Sequence, residues 1–197
     1  MGYARSEPGY SLVELIFVVG LIGTIAGIAT PQMLTTLDDF RTLGAVRYVS
    51  SRLQQTRMEA VARTADTAMR FIRAGNTYSY AVYLDGNRNG VRSLDIQRGI
   101  DREIQRPERL SDQFSGIDFG VLAGLPPVDA SSSAPGTDAV KIGSSDLLTF
   151  TALGSSTPGS LYIRGRRNAQ YVIRVFGETG KTRILKFDPH DRRWKPL

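Results

Sequence analysis

Apolar residues are concentrated near the N-terminus of the chain. Residues 15–29 read LIFVVGLIGTIAGIA and contain no charged side chain. Together with the residues from position 10, this run forms a segment of about 20 residues, which is the length that a helix needs to cross a bilayer. The pattern therefore predicts a membrane-spanning helix in this part of the chain.

The helical pattern continues to about residue 63 but changes along its length. Pro31 removes one backbone hydrogen bond, so we expect a kink or a local loosening there. Leu34, Leu37, Phe40 and Leu43 recur at intervals of three, and such a row drifts around a helix. We interpret this row as a surface that helices of other subunits surround, with irregular packing inside one domain as the alternative.

A steadier stripe follows on the same helix. Val46, Val49, Leu53 and Ala60 lie on one face, which is typical of a helix that packs on its own domain. Beyond residue 67, β-branched and aromatic residues alternate with polar ones, as in half-buried strands. The predicted strands are residues 69–72, 77–84, 102–110, 117–122, 147–151, 160–164, 171–176 and 182–187.

Two further segments predict connections rather than strands. Residues 177–180 read GETG and predict a hairpin turn, whereas residues 124–145 are rich in Pro, Gly and Ser and predict a long loop. The pattern as a whole predicts an α+β fold, in which one long N-terminal helix packs against an antiparallel β-sheet. The first half of that helix would span the membrane.

A carboxylate stands inside the apolar segment, at Glu14. Placing a charged side chain in hydrocarbon costs roughly 2.5–3.5 kcal/mol, so such a residue usually has a partner. Cleavage between Gly9 and Tyr10 would create an α-amine about one helical turn from Glu14. We expect Glu14 to pair with that amine or with the amine of a neighbouring subunit.

The sequence around this carboxylate resembles the processing site of type IV pilins and of type II secretion pseudopilins. Gly9 is followed by Tyr10, by Ser-Leu-Val and by Glu14, and Pro31 stands where the family tends to carry a proline. The resemblance implies that a prepilin peptidase cuts after Gly9 and methylates the new N-terminus at Tyr10. It also implies that Glu14 guides assembly.

Three other interpretations of the N-terminal segment remain open. It could be an ordinary single-span anchor that tolerates Glu14, or a buried helix of a soluble enzyme. It could also be a cleaved secretory signal, since Arg5 and the small residues at 26–29 imitate its basic start and cleavage site. Glu14 would interrupt the apolar core of such a signal.

A second resemblance concerns the rest of the helix and part of the β region. Residues 53–63 read LQQTRMEAVAR, and residues 148–151 read LTFT with Gly154 beyond; both are similar to the H-type pseudopilins and the FimT minor pilins. This resemblance implies a non-enzymatic minor pilin or pseudopilin. Its partners would be the prepilin peptidase, other pilin or pseudopilin subunits and the inner membrane.

The resemblance also implies how the chain is divided and where it resides. Residues 1–9 would be the leader, 10–33 the transmembrane and assembly helix, 34–66 its amphipathic continuation, and 67–197 a periplasmic β-sheet domain. The subunit would sit in the bacterial inner membrane as a single-pass protein and then enter a pilus or a secretion pseudopilus. The sequence does not distinguish these two assemblies.

Composition limits the chemistry that the chain can carry. The 197 residues contain no cysteine and one histidine, His190, which excludes thiolate chemistry and makes His-based catalytic triads improbable. No GxSxG motif is present, and the pair Asp38 and Asp39 is explained by solvation or subunit pairing on a helix surface. We therefore expect no enzymatic activity and no cofactor.

One loop imitates a calcium site. Asp85, Asn87, Asn89 and Asp95 supply oxygen atoms at alternate positions, and Gly90 stands at the sixth, as in calcium loops. The twelfth position is isoleucine rather than glutamate, and nearby arginines reduce the negative charge. A plain hairpin turn is the preferred interpretation, with calcium as the alternative.

Basic residues are concentrated at the C-terminal end. Residues 160–197 hold ten Lys and Arg against three Asp and Glu, a local excess of +7, while the whole chain carries +6. Such groups can follow a phosphate backbone, and the interleaved Tyr162, Tyr171, Phe176 and Trp194 could stack on bases. The alternative is a solvated strand surface with arginine stems covering apolar area.

The FimT resemblance adds a candidate partner. FimT minor pilins are DNA receptors in natural transformation and carry a Gly-Arg-x-Arg motif near the C-terminus, where this chain has Gly180-Lys181-Thr182-Arg183. The resemblance implies binding of double-stranded DNA through Lys181 and Arg183. Arg166 and Arg167 form a second basic turn that does not match the motif.

Overall fold

The computed structural model describes residue 9 and residues 11–75, 77–129, 132–143 and 145–197. The chain consists of two compact units, Met1–Leu37 and Asp38–Leu197. A long N-terminal helix is followed by antiparallel β-sheets, which confirms the predicted α+β fold. The predicted leader and Tyr10 lie outside the described residues, apart from Gly9.

Helix α1 comprises Leu12–Arg63, and Pro31 lies inside it. Its apolar first part is long enough to cross a membrane and is not buried by the protein itself. The hydroxyl groups in this part are satisfied locally: Thr24 donates to the Gly20 carbonyl at 2.9 Å, and Thr30 donates to that of Ala26 at 2.7 Å. Hydrogen bonds of this kind suit a helix surrounded by hydrocarbon, where no water can act as the partner.

The stripe predicted for the second part of α1 is confirmed. Val46, Val49, Leu53 and Ala60 are fully buried in the unit Asp38–Leu197. Phe40, which belongs to the drifting row, is instead largely exposed. Leu43, the last residue of that row, is partly buried and packs against the core. The steady stripe is therefore the face that packs on the β region.

The remaining elements follow α1 in the chain. They are β1 (Thr67–Ala74), β2 (Thr77–Leu84), α2 (Ser93–Gln97), β3 (Arg102–Arg109), α3 (Leu110–Gln113), β4 (Asp118–Phe119), β5 (Val140–Ile142), β6 (Leu147–Phe150), β7 (Gly159–Arg164), β8 (Gln170–Val175), β9 (Thr182–Asp188) and β10 (Arg193–Pro196).

The strands form two antiparallel sheets rather than one. The first has the order β3-β2-β1-β6, and the second has the order β10-β9-β8-β7-β4, with β5 also paired to β7. In the first sheet, β6 returns from far along the chain to pair with β1, so that Met69 faces Leu148. In the second sheet, β7, β8 and β9 follow one another as hairpins.

One core joins α1 to both sheets. Leu53 of α1, Phe71 and Leu148 of the first sheet, and Val172 and Ile173 of the second belong to the same buried cluster. Each of these side chains is almost completely removed from water. Burial on this scale is the main favourable term for folding, at about 1.5–3 kcal/mol for each large apolar side chain.

Several short elements were missed by the sequence pattern. Helices α2 and α3 and strand β5 have three to five residues each, which is too short to display a period. Strand β10 is rich in charge and contains Pro196, which an edge strand tolerates. The predicted strand at 117–122 is reduced to the two residues of β4, and the loop predicted at 124–145 contains β5.

Candidate functional site

The predicted cleavage site lies at the edge of the described residues. Gly9 is exposed and belongs to no helix or strand, and nothing lies within 4 Å of the position that a Cβ atom would take there. Tyr10 lies outside the described residues. The helix begins at Leu12, and the N–H of Leu15 donates to the Ser11 carbonyl at 3.1 Å.

Glu14 lies in the first turn of α1, with its side chain exposed. Within the described residues its carboxylate makes no ion pair and no side-chain hydrogen bond. A helix N-terminus favours negative charge, because its backbone N–H groups carry partial positive charge. The geometry therefore leaves Glu14 available to a cation outside the described part of the chain.

Apolar side chains are exposed all around the first part of α1. Phe17 is 70% exposed, and Ile16, Ile22 and Ile28 are exposed to a similar extent. A helix that is apolar on every side needs lipid or other helices around it. Pro31 is also exposed and stands close to the end of this apolar run.

Arg166 and Arg167 lie in the connection between β7 and β8, and Asp38 of α1 fixes that connection. The Asp38 carboxylate accepts hydrogen bonds from the backbone N–H of Arg166 at 3.1 Å and of Arg167 at 2.7 Å. Gly165 is required beside them, because a Cβ atom there would collide with the Thr42 hydroxyl and the Asp38 carboxylate. Asp38 is 8% exposed, so the interpretation of this residue as a surface charge was wrong.

The neighbouring Asp39 has a different role. Its carboxylate pairs with the ammonium group of Lys186 on β9 at 2.8 Å, and both side chains are partly exposed. Burial lowers the pKa of Lys186, but the Asp39 carboxylate and the Tyr171 phenol oxygen raise it more, so the pKa lies above its usual value. The two adjacent aspartates thus tie α1 to two different parts of the second sheet.

Lys181 and Arg183 lie where the chain enters β9. Both are exposed, and in the described part of the chain neither takes part in an ion pair. The Thr182 hydroxyl between them accepts from Gln54 at 3.0 Å and exchanges a hydrogen bond with Ser50 at 3.1 Å, which holds the start of β9 against α1. The two basic side chains therefore project from a fixed backbone.

Arg57 of α1 contacts the turn that precedes β9. Its Nε–H donates to the Gly154 carbonyl at 3.0 Å. Gly180 has a φ of +60°, and a Cβ atom there would collide with that carbonyl and approach Arg57 Nε to 2.9 Å. The arginine of the pattern at residues 53–63 thus holds two glycine turns together, which the sequence did not indicate.

The structure keeps the two predicted basic groups apart. The turn with Arg166 and Arg167 precedes β8, and the turn with Lys181 follows it, so they stand at opposite ends of a six-residue strand. Such a strand spans about 20 Å. Tyr162 and Tyr171 are buried in the core and are not available to stack on bases.

The loop that imitates a calcium site is held by internal hydrogen bonds. The Asp85 carboxylate accepts from the backbone N–H groups of Asn87 at 3.0 Å, of Arg88 at 2.8 Å and of Gly90 at 2.8 Å. The side-chain amide of Asn89 donates to Asp95 at 3.1 Å. Among the described residues there is no group of three His, Asp or Glu that could hold a metal ion.

Together these features define the class of the molecule: an α+β chain with one N-terminal helix able to span a membrane and an antiparallel β domain. This architecture is compatible with a pilin-like subunit. No protein-family model matches the chain, and no curated protein or solved structure shows significant similarity to it.

Proposed function

We propose that this protein is a pilin-like structural subunit, cleaved by a prepilin peptidase between Gly9 and Tyr10 and then assembled into a filament. The observation that carries the proposal is the register of Gly9, Glu14 and Pro31 with a helix that is apolar on every side. Gly9 lies open just before that helix, where a peptidase could reach it.

The exposed apolar part of α1 would be surrounded first by lipid and then by helices of other subunits. Before assembly, lipid would cover the exposed apolar side chains between Leu12 and Ile28. In a filament, helices of neighbouring subunits would replace the lipid. Leu34, Leu37 and Phe40, which are all exposed, would extend that contact beyond the membrane.

The resemblance to H-type pseudopilins and FimT minor pilins supports a finer assignment. We propose a minor subunit of a type II secretion pseudopilus or of a type IV pilus, with the β domain on the periplasmic side of the inner membrane. Processing would place a positive amine near Glu14. In the filament that carboxylate would pair with the amine of a neighbouring subunit, which compensates for its cost in an apolar environment.

Replacement of Glu14 tests this assembly role. Glu14→Ala should leave membrane insertion and cleavage intact but reduce incorporation into filaments, since removing one partner of a buried pair costs about 3–5 kcal/mol. Glu59→Ala is the matched control, because it removes a partly exposed carboxylate whose partner, Arg63, lies on the same helix. Normal incorporation of Glu14→Ala would refute the pairing.

A second candidate function is binding of double-stranded DNA. The observation that favours it is the exposed pair Lys181 and Arg183, which no described carboxylate neutralises and which Thr182 holds in place. Phosphate contacts need no more than such a fixed positive surface. The burial of Tyr162 and Tyr171 removes these two rings from base stacking, whereas Phe176, whose backbone N–H donates to the Lys181 carbonyl at 3.0 Å, is 42% exposed.

A further inference from the structure

We propose that the part of the β domain formed by residues 151–156 and 176–181 is a docking surface for an acidic segment of another polypeptide. We call these two segments the paired turns. They carry exposed apolar side chains beside cationic groups, and an open groove on α1 extends the same surface. The proposal goes beyond the function proposed above, because it depends neither on cleavage after Gly9 nor on the membrane helix.

Hydrogen bonds join the paired turns to each other. The backbone N–H of Ser156 donates to the Gly177 carbonyl at 2.7 Å, and its hydroxyl donates to the Phe176 carbonyl at 3.2 Å. The first turn is also closed internally, since the N–H of Gly154 donates to the Thr151 carbonyl at 2.8 Å. The surface is therefore ordered before a partner arrives, which reduces the entropy lost on binding.

Large apolar side chains are exposed on these segments. Leu153 in the first turn is 95% exposed, and Phe176 at the start of the second is 42% exposed. Met58 of α1 follows Arg57, which donates to the Gly154 carbonyl, and is 70% exposed. A single exposed leucine is common, whereas several large apolar side chains on segments that contact one another indicate an interaction surface.

An open groove on α1 extends the surface. Its volume is about 520 Å³, and it is lined by Ser51, Gln54, Gln55, Met58, Glu59 and Ala62. These positions recur at intervals of three and four residues, so they form one face of the helix with a length of about 16 Å. Gln54 connects the groove to the second turn, because its side-chain amide donates to the Thr182 hydroxyl at 3.0 Å, one residue beyond Lys181. A partner segment of about three helical turns matches this length.

The charges of the surface favour an acidic partner. Arg57, Lys181 and Arg183 take part in no ion pair among the described residues. Glu59, the carboxylate in the groove, is already paired with Arg63 at 2.6 Å. Opposite charges across an interface attract the correct partner, and like charges exclude wrong ones. The excess positive charge therefore calls for Asp and Glu in the partner segment.

The same charges argue against a second copy of this chain. A two-fold contact would place the same cationic surface on both sides, and the whole chain carries a net charge of +6. Duplex DNA supplies negative charge, but its phosphate backbone offers no apolar surface to Leu153 or Met58. An acidic polypeptide with apolar side chains matches both features of the surface, so a second copy and DNA become outcomes of the test.

Photo-cross-linking in the native cells tests the proposal on the full chain. The photoreactive residue p-benzoylphenylalanine replaces Leu153, and in the matched control it replaces Leu94 of α2, which is 62% exposed. Because both side chains are exposed, neither replacement should disturb the fold, and circular dichroism of the purified chains checks this. Mass spectrometry then identifies the peptide to which each probe is linked.

We expect the probe in the paired turns to link to another polypeptide, through a peptide that contains more Asp and Glu than Lys and Arg. The double variant Lys181→Gln/Arg183→Gln should reduce the yield several-fold, because it removes two of the cations. Arg166→Gln/Arg167→Gln removes the same charge at the opposite end of β8 and should leave the yield unchanged. The control probe should not give this product.

Three results would overturn the proposal. The first is a yield no higher than that of the control probe, and the second is a yield that Lys181→Gln/Arg183→Gln does not lower. The third is linkage to this chain itself, to nucleic acid or to a peptide without excess acid.

The N-terminus of the same samples separates this inference from the proposed function. A chain that begins at Met1 but gives the acidic cross-link contradicts the pilin-like function and supports the docking surface. A chain that begins at Tyr10 without the cross-link contradicts the docking surface alone.

Discussion

The carboxylate of Asp38 accepts a hydrogen bond of 2.7 Å from the backbone N–H of Arg167, 129 residues further along the chain. A second bond, of 3.1 Å, comes from Arg166. This contact joins the first residue of the unit Asp38–Leu197 to the connection between β7 and β8. The residue that follows the apolar unit in sequence is thus a structural carboxylate that holds two arginines in place.

Asp38→Ala should destabilise the β domain by about 2–4 kcal/mol, because it leaves the N–H groups of Arg166 and Arg167 without their charged acceptor. Asp39→Ala is the control: it breaks a partly exposed ion pair with Lys186, which is worth less than about 1 kcal/mol. Chemical denaturation of the full chain in detergent, followed by Trp194 fluorescence, measures both. Equal losses would contradict the structural role of Asp38.

Gly180→Ala should also destabilise the chain, and more than the backbone conformation alone explains. A positive φ costs an alanine about 1–2 kcal/mol, and here a Cβ atom would also collide with the Gly154 carbonyl. Gly99 has a φ of +71° with nothing within 4 Å, so Gly99→Ala carries the conformational cost alone. The collision argument fails if denaturation midpoints fall equally for the two variants.

Local patterns in the sequence predicted most of the fold. The spacing of Val46, Val49 and Leu53 predicted the face of α1 that packs on the domain, and burial of that face follows directly from helix geometry. The division into two sheets was not predictable in this way. It depends on β6 pairing with β1, where Met69 faces Leu148, and no local period encodes such a partner.

Some candidate sites could likewise be recognised from local sequence, and others depend on contacts with distant parts of the chain. Gly9, Glu14 and Pro31 are recognisable from their register alone, and their roles stay predictions. The roles of Asp38 and Arg57 depend on loops more than 90 residues away, the β7–β8 connection and Gly154, so no local pattern indicated them. The distance between Lys181 and Arg166 also depends on β8, which separates the two turns.

DNA binding, if it occurs at the start of β9, should be sensitive to salt. The full chain in detergent should bind duplex DNA without sequence preference at about 50 mM salt and lose affinity steeply by about 200 mM. Lys181→Gln/Arg183→Gln should weaken binding and flatten the salt dependence by about two units, without loss of stability since both side chains are exposed.

The connection between β7 and β8 provides the control for that measurement. Arg166→Gln/Arg167→Gln removes the same charge at the opposite end of β8 and should leave DNA affinity nearly unchanged. No salt-sensitive binding at about 50 mM, or equal effects of the two double variants, would show that Lys181 and Arg183 form only a solvated surface.

Asp188 should titrate well below a normal aspartate. Hydrogen bonds from the Lys195 ammonium and the His190 N–H lower its pKa from 3.8 to about 2. Because this pKa is lower in the folded chain than in the unfolded chain, Asp188 contributes stability above about pH 4, and that contribution is lost as the pH falls toward 2.

Lys195→Met removes the first of those donors. The NMR titration midpoint of the Asp188 carboxyl carbon should rise toward the ordinary value in this variant, and the acid-dependent loss of stability should begin at higher pH. A midpoint that is the same in both chains would show that Lys195 does not hold Asp188. His190→Ala is the control, since its backbone N–H remains.

Mass spectrometry of the native protein tests the central proposal most directly. If the chain is a processed pilin-like subunit, its mature form begins at Tyr10 and carries a methyl group on the α-amine. Gly9→Lys should prevent this cleavage and leave the leader attached. A mature chain that begins at Met1, or one that begins at Thr30 as a cleaved secretory protein would, contradicts the proposal.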